Sequence, residues 1–340
     1  MPRKSPKLKC EHCSLPLVGP ITYYLPIRNE RLCWTGLRGE LRRIAEAELR
    51  IVRGEFAGMD RFYGTIRKDG RNFLTAAGIA LFGAVGADDS QLFDNVLKDI
   101  AAYSLRYGTP EAKMAVEIVM VWVNGLLGAP VRFPDWLVHL DLAAVPGEWR
   151  RQVAYLAVQC LHRRNERVAA AVLADALLNL EADKAVGFSA ADVYLKMAKA
   201  KICHDEGRMR EAERWYRAVV ESAKPLGIVL PFLGVMLGPK SALERALSEG
   251  APELLAKVKR LTGGYFRNLA KYHNRFTGDS VTEILSPREF FLAQSLKRGL
   301  RYKEIAERMG IAQGRVHNMV GMLYETLGID RREEIGDLVW

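Results

Sequence analysis

The stretch "YLKMAKAKICHDEGRMREAERWYRAVVESAKPLG", Tyr194 to Gly227, decides how the chain is read. Glu206-Gly207-Arg208 makes a turn between two helix-forming runs. The first run carries small residues at Ala198 and Ala200; the second carries Ala212, Tyr216 and Val219 and ends at Pro225. Small alanines let two helices approach closely, and Tyr216 fills the groove between them. The unit therefore reads as a helical hairpin.

The same pattern extends outward. "LRIVRGEFAGMDRFY" (49–63) reads as a degenerate copy, and "QCLHRRNERVAAAVLADAL" (159–177) as another without the glycine. After about residue 37 strand alternation is scarce, and Ala, Leu, Glu, Arg and Lys recur at helical spacing. Short breaks punctuate the helical blocks: "VRGEF" (52–56), "KDGRN" (68–72), "GADDS" (86–90), "YGTPE" (107–111), "RRNER" (163–167) and "DEGRMRE" (205–211). Long helices joined by short turns imply antiparallel neighbours, and many hairpins in a row imply a solenoid. The turn and second helix of 194–227, "G-R-x-x-E-A-x-x-x-Y", resemble a tetratricopeptide repeat. "VLPFLGVMLGPKSALERAL" (229–247) breaks the period, and "FTGDS" (276–280) is the expected domain boundary.

The last part of the chain carries a second pattern. In "LSPREFFLAQSLKRG" (285–299), Ser286 can cap a helix, Pro287 suits its first position, Glu289 completes a capping box and Gly299 stops it. "YKEIAERM" (302–309) is a second short helix and Gly310 makes a turn. The third helix sets Val316, Val320, Leu323 and Leu327 on one apolar stripe, and a short fourth is expected from about Arg332. A central helix pair joined by a Gly-containing turn describes a helix-turn-helix unit.

"LSPRE", Gly299, "KEIAERMGI" and the run from Val316 to Ile329 resemble the DNA-binding domain of LuxR-type bacterial transcription regulators. "FPDWLVHLDLAAVPGEWRRQVAYLAVQCL" (133–161), the 194–227 hairpin, "GIVLPFLGVMLG" (227–238) and "AKVKRL" (256–261) are similar to the helical-repeat region of the large MalT-like members. Those members carry an ATP-binding domain ahead of the repeats. No G-x-x-x-x-G-K-[S/T] occurs in this sequence. The expectation is an all-α, tetratricopeptide-like helical-hairpin solenoid followed by a four-helix LuxR-type domain, without the ATPase. Residues 1–36 form a basic, partly irregular segment, 37–275 the repeat domain and 282–340 the DNA-binding domain.

The resemblance implies double-stranded DNA as partner, pairing of two copies on half-sites, and control by a small-molecule or protein effector on the repeats. The DNA-binding residues it implies are Arg315, His317, Asn318, Lys303, Arg301 and Gln313. The match is imperfect. The family places a Ser cap where Ala312 stands, a lysine where His317 stands, a His at Met319 and a second lysine at Thr326. Arg315 restores one cation where a bidentate donor could meet guanine. The alternative is an adaptor that uses its repeats for protein contacts and has a degenerate helix-turn-helix. Phe290 and Phe291 stand where the family has charged residues. Adjacent helical positions cannot both face one side, so one of them is expected to contact the repeat domain or a second subunit.

Composition narrows the class. The 340 residues are 49% hydrophobic and 26% charged, with net charge +10. Residues 1–53 carry 11 basic and 5 acidic side chains, 161–280 carry 20 and 14, and the last 60 carry 9 and 9. Attraction to a polyanion would therefore come from outside the carboxy-terminal part. "FLTAAGIALFGAVGA" (73–87) and "MAVEIVMVWVNGLLGAPV" (114–131) read as buried helices rather than membrane spans. Five scattered cysteines, with no signal-peptide pattern, fit a cytoplasmic protein. Cys10, Cys13 and Cys33 offer half of a zinc pattern, and no metal or other cofactor is expected. No local Ser/His/Asp or Cys/His signature points to an enzyme. Trp122, Trp136, Trp149 and Trp215 could line an effector pocket, although core packing is the commoner use.

Overall fold

The computed structural model describes residues 27–28, 31–32, 39–70, 72–127, 133–141, 145, 150–182, 190–233, 241–277, 285–327 and 329–335. Ile27–Arg28 and Arg31–Leu32 pair as a minimal antiparallel ladder. The remaining elements are helical, so the fold is all-α. In chain order they are α1 (Gly39–Val52), α2 (Met59–Gly64), α3 (Phe73–Ala87), α4 (Ser90–Arg106), α5 (Pro110–Leu127), α6 (Asp135–Val138), α7 (Arg150–Arg163) and α8 (Arg167–Ala182). There follow α9 (Ala190–Asp205), α10 (Met209–Ala223), α11 (Leu230–Leu233), α12 (Ala242–Gly250), α13 (Pro252–Thr277), α14 (Pro287–Lys297), α15 (Tyr302–Met309) and α16 (Gln313–Leu327). Each break read from the sequence between residues 52 and 211 coincides with a helix end.

Helix α3 explains the centre. It has no polar face, and Phe73 to Val85 are all buried. A helix that is apolar all round must be covered all round, and α1, α2, α4, α5 and α13 pack against it. Among the described residues no helix is long and apolar enough to cross a membrane. Gly83 and Gly86 allow the closest approaches, because a Cβ at either would collide with Met59 or with the Phe56 ring.

Successive neighbours pack from α7 through α8 and α9 to α10, and then α12. Ala200, Ala212, Tyr216 and Val219 share one buried cluster along the α9–α10 seam, whereas Ala198 is buried on the other side of α9 with Val158, Leu161 and Ala170 of α7 and α8. Gly207, at φ 73°, ends α9 while the Arg208 N–H donates to the Cys203 carbonyl at 2.9 Å. Asn165, at φ 64°, ends α7 in the same way, with Glu166 N–H donating to the Leu161 carbonyl at 2.9 Å. Asparagine tolerates the left-handed region better than most residues. A hairpin that lacks the glycine therefore keeps its turn.

Two features differ from a plain row of hairpins. The 49–63 unit is truncated, since α2 has only six residues. The row also closes on itself, whereas in a quasi-linear solenoid each repeat touches only its neighbours. Helix α13 lies against α3 and α5, and α11 against α1. Val229 N–H donates to the Val52 carbonyl at 2.7 Å, and Arg53 Nε to the Leu226 carbonyl at 2.8 Å. Asn268 Nδ2 donates to the Val85 carbonyl at 2.9 Å, and Phe56 stacks on Tyr265 at 5.7 Å. The physical reason is the uncovered side of α3, which α13 fills.

Helices α14 to α16 enclose a separate core that includes Leu292, Leu296, Ile305, Val316, Val320, Leu323 and Ile335. The expected fourth helix is a single 3-10 turn, Arg332–Glu334, among the described residues. The Arg332 guanidinium donates to the Leu296 and Leu300 carbonyls at 2.7 and 2.8 Å, pinning the turn to the end of α14.

Candidate nucleic-acid interface

Local chemistry sets the α14–α16 frame. Ser286 Oγ accepts from Glu289 N–H at 3.4 Å, and Glu289 Oε2 accepts from Ser286 N–H at 2.7 Å. Gly310, at φ 65°, ends α15, and Ile311 N–H donates to the Ala306 carbonyl at 3.0 Å. Only Gly310 to Ala312 separate α15 from α16. The Ala312 carbonyl accepts from Arg315 and Val316 N–H at 3.0 and 3.3 Å, but its methyl group cannot cap the remaining amides.

Val316, Val320 and Leu323 are buried in the module core, which turns the opposite face of α16 outward. Arg315, His317 and Asn318 are exposed away from that core, and Gln313, on the Val316 side, is exposed at the start of the helix. The Tyr302 ring meets the His317 ring edge-on at 5.7 Å, tying α15 to the first turns of α16. Arg315 and Lys303 are exposed and make no ion pair among the described residues. Arg301 is different. Its guanidinium lies 3.2 Å from Glu304, whose other oxygen accepts from the Arg301 N–H at 2.7 Å. Burial raises the Glu304 pKa, but these two contacts outweigh it and hold the carboxyl below its ordinary value. Sequence reasoning did not single out Met322, 59% exposed, which follows Arg315 and Asn318 along the same side of α16.

The opposite side of α15 meets the helical array. Arg308 pairs with Asp205 at the end of α9, and both side chains are nearly buried. The Asp205 carboxylate also lies 2.9 Å from His162 Nε2 on α7, and Arg167 Nη1 donates to the Asp205 carbonyl at 2.5 Å. Burial first, then Lys201, Arg298, Arg308 and Arg167, push the His162 pKa down to about 3. The neutral ring in its Nε2–H tautomer can donate to Asp205. Burial and Arg308 lower His204 to about 4, and burial lowers Arg308 to about 10. Phe290 meets His273 of α13 edge-on at 5.6 Å, and the His273 Nδ1 lies 2.8 Å from the Leu127 carbonyl. Phe291 is half-buried against the module's own core. The Asp205–Arg308 joint carried no local sequence signature.

The tryptophans do not share one site. Trp122 is buried and stacks on Tyr155 at 5.3 Å. Trp136 packs against the same cluster and donates Nε1–H to Glu117 at 2.9 Å. Trp215 packs against the other main core. Trp149, the Thr326 side chain, Cys10, Cys13 and Cys33 lie outside the described residues. Cys160 and Cys203 are buried and form no disulfide among the described residues. Among the described residues no group of three or more His, Cys, Asp or Glu side chains could hold a metal ion. No protein-family model, curated protein or solved structure matches the chain.

Proposed function

We propose that the chain is a cytoplasmic bacterial transcription regulator of the LuxR type. Its helical-repeat array senses a small ligand or protein partner, and its carboxy-terminal helix-turn-helix reads DNA. The observation that carries this reading is the α16 face: Arg315, His317 and Asn318 point outward while Val316, Val320 and Leu323 anchor the helix from behind. An arginine early in a recognition helix suits bidentate contact with guanine in the major groove. Lys303 adds a second exposed cation with no ion pair among the described residues.

Few phosphates are neutralised by such a face. Where Arg315 and Lys303 are the cations that meet phosphate, log K falls with log salt at a slope of about −2 per bound copy. The test is gel retardation of the gene's own upstream DNA by full-length protein across a salt series. Arg315→Ala is expected to cost ~1–3 kcal/mol and to relax specificity at one base position. Absence of retardation at low salt would defeat the reading. It would favour the adaptor alternative, which the uncapped α16 and the charge balance of the last 60 residues also support.

A further inference from the structure

We propose that the cleft between α1 and α2 binds a small organic oxyanion, a phosphate or carboxylate carried on an apolar body. This rests on the preceding reading only in supplying the chemical class of the small ligand that the array senses. The cleft has a volume of about 500 Å³, within the usual range for small-molecule sites. Arg43, Arg50 and Arg61 line it, with Ala47, Gly58 and Phe62. Arg43 and Arg50 are seven residues apart, which puts them on one face of α1. Arg61 comes from α2.

The cleft's charge balance is one-sided. Glu46 is the one carboxylate in the lining, and Arg42, outside it, holds that group with Nε at 2.9 Å. Arg43 and Arg61 have no ion pair among the described residues. Arg50 is anchored by one nitrogen to the Ala57 carbonyl. Its remaining N–H groups stay available to a ligand. Gly58, at φ 75°, lets the chain turn across Arg50, and a Cβ there would stand 3.8 Å from the guanidinium. Three guanidinium groups around one concavity repel each other. An oxyanion relieves that repulsion and accepts forked N–H bonds from them. Phe62 and Ala47 give the apolar part of the ligand a surface.

The experiment titrates full-length protein with phenyl phosphate and, separately, benzoate by calorimetry in the absence of DNA. Saturable one-to-one binding is expected for at least one of them, with phenol inert and inorganic phosphate weaker. Arg43→Gln and Arg61→Gln should each weaken it about tenfold or more, the usual effect of losing a charge-assisted hydrogen bond. Arg61→Lys should recover part of the loss, and the distant Arg267→Gln on α13 should change nothing. No saturable binding of either probe, or unchanged affinity in both glutamine variants, would overturn the proposal. The DNA assay uses no small ligand and the calorimetry uses no DNA, so either reading can fail alone.

Discussion

Replacing Asp205 with alanine strips Arg308 of its counter-ion in a place where the arginine side chain is only 16% exposed. Arg167 lies near enough to depress the Arg308 pKa, and Glu304 is already bonded to Arg301. Removing one partner from a buried ion pair typically costs ~3–5 kcal/mol. Arg308→Ala should cost less, about 2 kcal/mol, because Asp205 keeps the His162 contact at 2.9 Å. The double variant should recover ~1.5–3 kcal/mol relative to the sum. The α14–α16 module has its own core, so the chain can escape the penalty by undocking and rehydrating Arg308. Amide hydrogen exchange monitored by mass spectrometry locates the effect. A loss of ~3 kcal/mol speeds exchange on the order of a hundredfold at the ends of α9 and α15, while Val316 to Leu323 and Phe73 to Val85 stay protected. Additive single-variant costs, or unchanged exchange at both helix ends in Asp205→Ala, would refute the reasoning.

Acid should open the same joint. His162 and His204 have folded pKa values of about 3 and about 4, below the unfolded value of ~6.5. Their contribution is fully present above ~6.5 and is lost as pH falls toward those values, at up to ~1.4 kcal/mol per pH unit for each ring. Urea midpoints measured from pH 7.5 to 5 should fall, and His162→Asn should flatten the decline; equal slopes in both proteins would count against it. Ala312→Ser restores a side-chain cap where the carbonyl already accepts from Arg315 and Val316, and should stabilise the module by ~1 kcal/mol. A urea midpoint that fails to rise would show that the first amides of α16 are satisfied in another way.

Helix ends were legible in the sequence because their chemistry is local. Ser286 and Glu289 bond reciprocally across three positions, and Gly207 and Gly310 end helices through their own backbone. The α9–α10 seam was legible because Ala200, Ala212 and Tyr216 are small or groove-filling residues at helical spacing; Ala198 turned out to face α7 and α8 instead. The closure of α13 onto α3 was not, since it depends on residues far apart in the chain, such as Asn268 and Val85. A signal did exist: thirteen residues of α3 without a polar face demand cover on every side. Arg43 and Arg50 were likewise readable as one face of α1, but Arg61 joins them only through the turn at Gly58.

Charge shows where counting along the chain falls short. Nine cations and nine acids in the last 60 residues suggest a module with little pull on a polyanion. The side chains are not equivalent, however. Arg308 is engaged by the array, Arg332 by the carbonyls that end α14, and Arg301 by Glu304. Lys303 and Arg315 remain unpaired among the described residues on the α15–α16 side. A face built this way gains little from general attraction, which scales with the number of phosphates neutralised. On the proposed reading its discrimination then rests on what Arg315, His317 and Asn318 meet at base edges. Such contacts act over hydrogen-bond distances, so the position of the whole module matters more than its charge. The Asp205–Arg308 pair and the Phe290–His273 contact both bear on that position, so on the same proposed reading the joint, rather than the α16 face, is where the array would act on DNA binding.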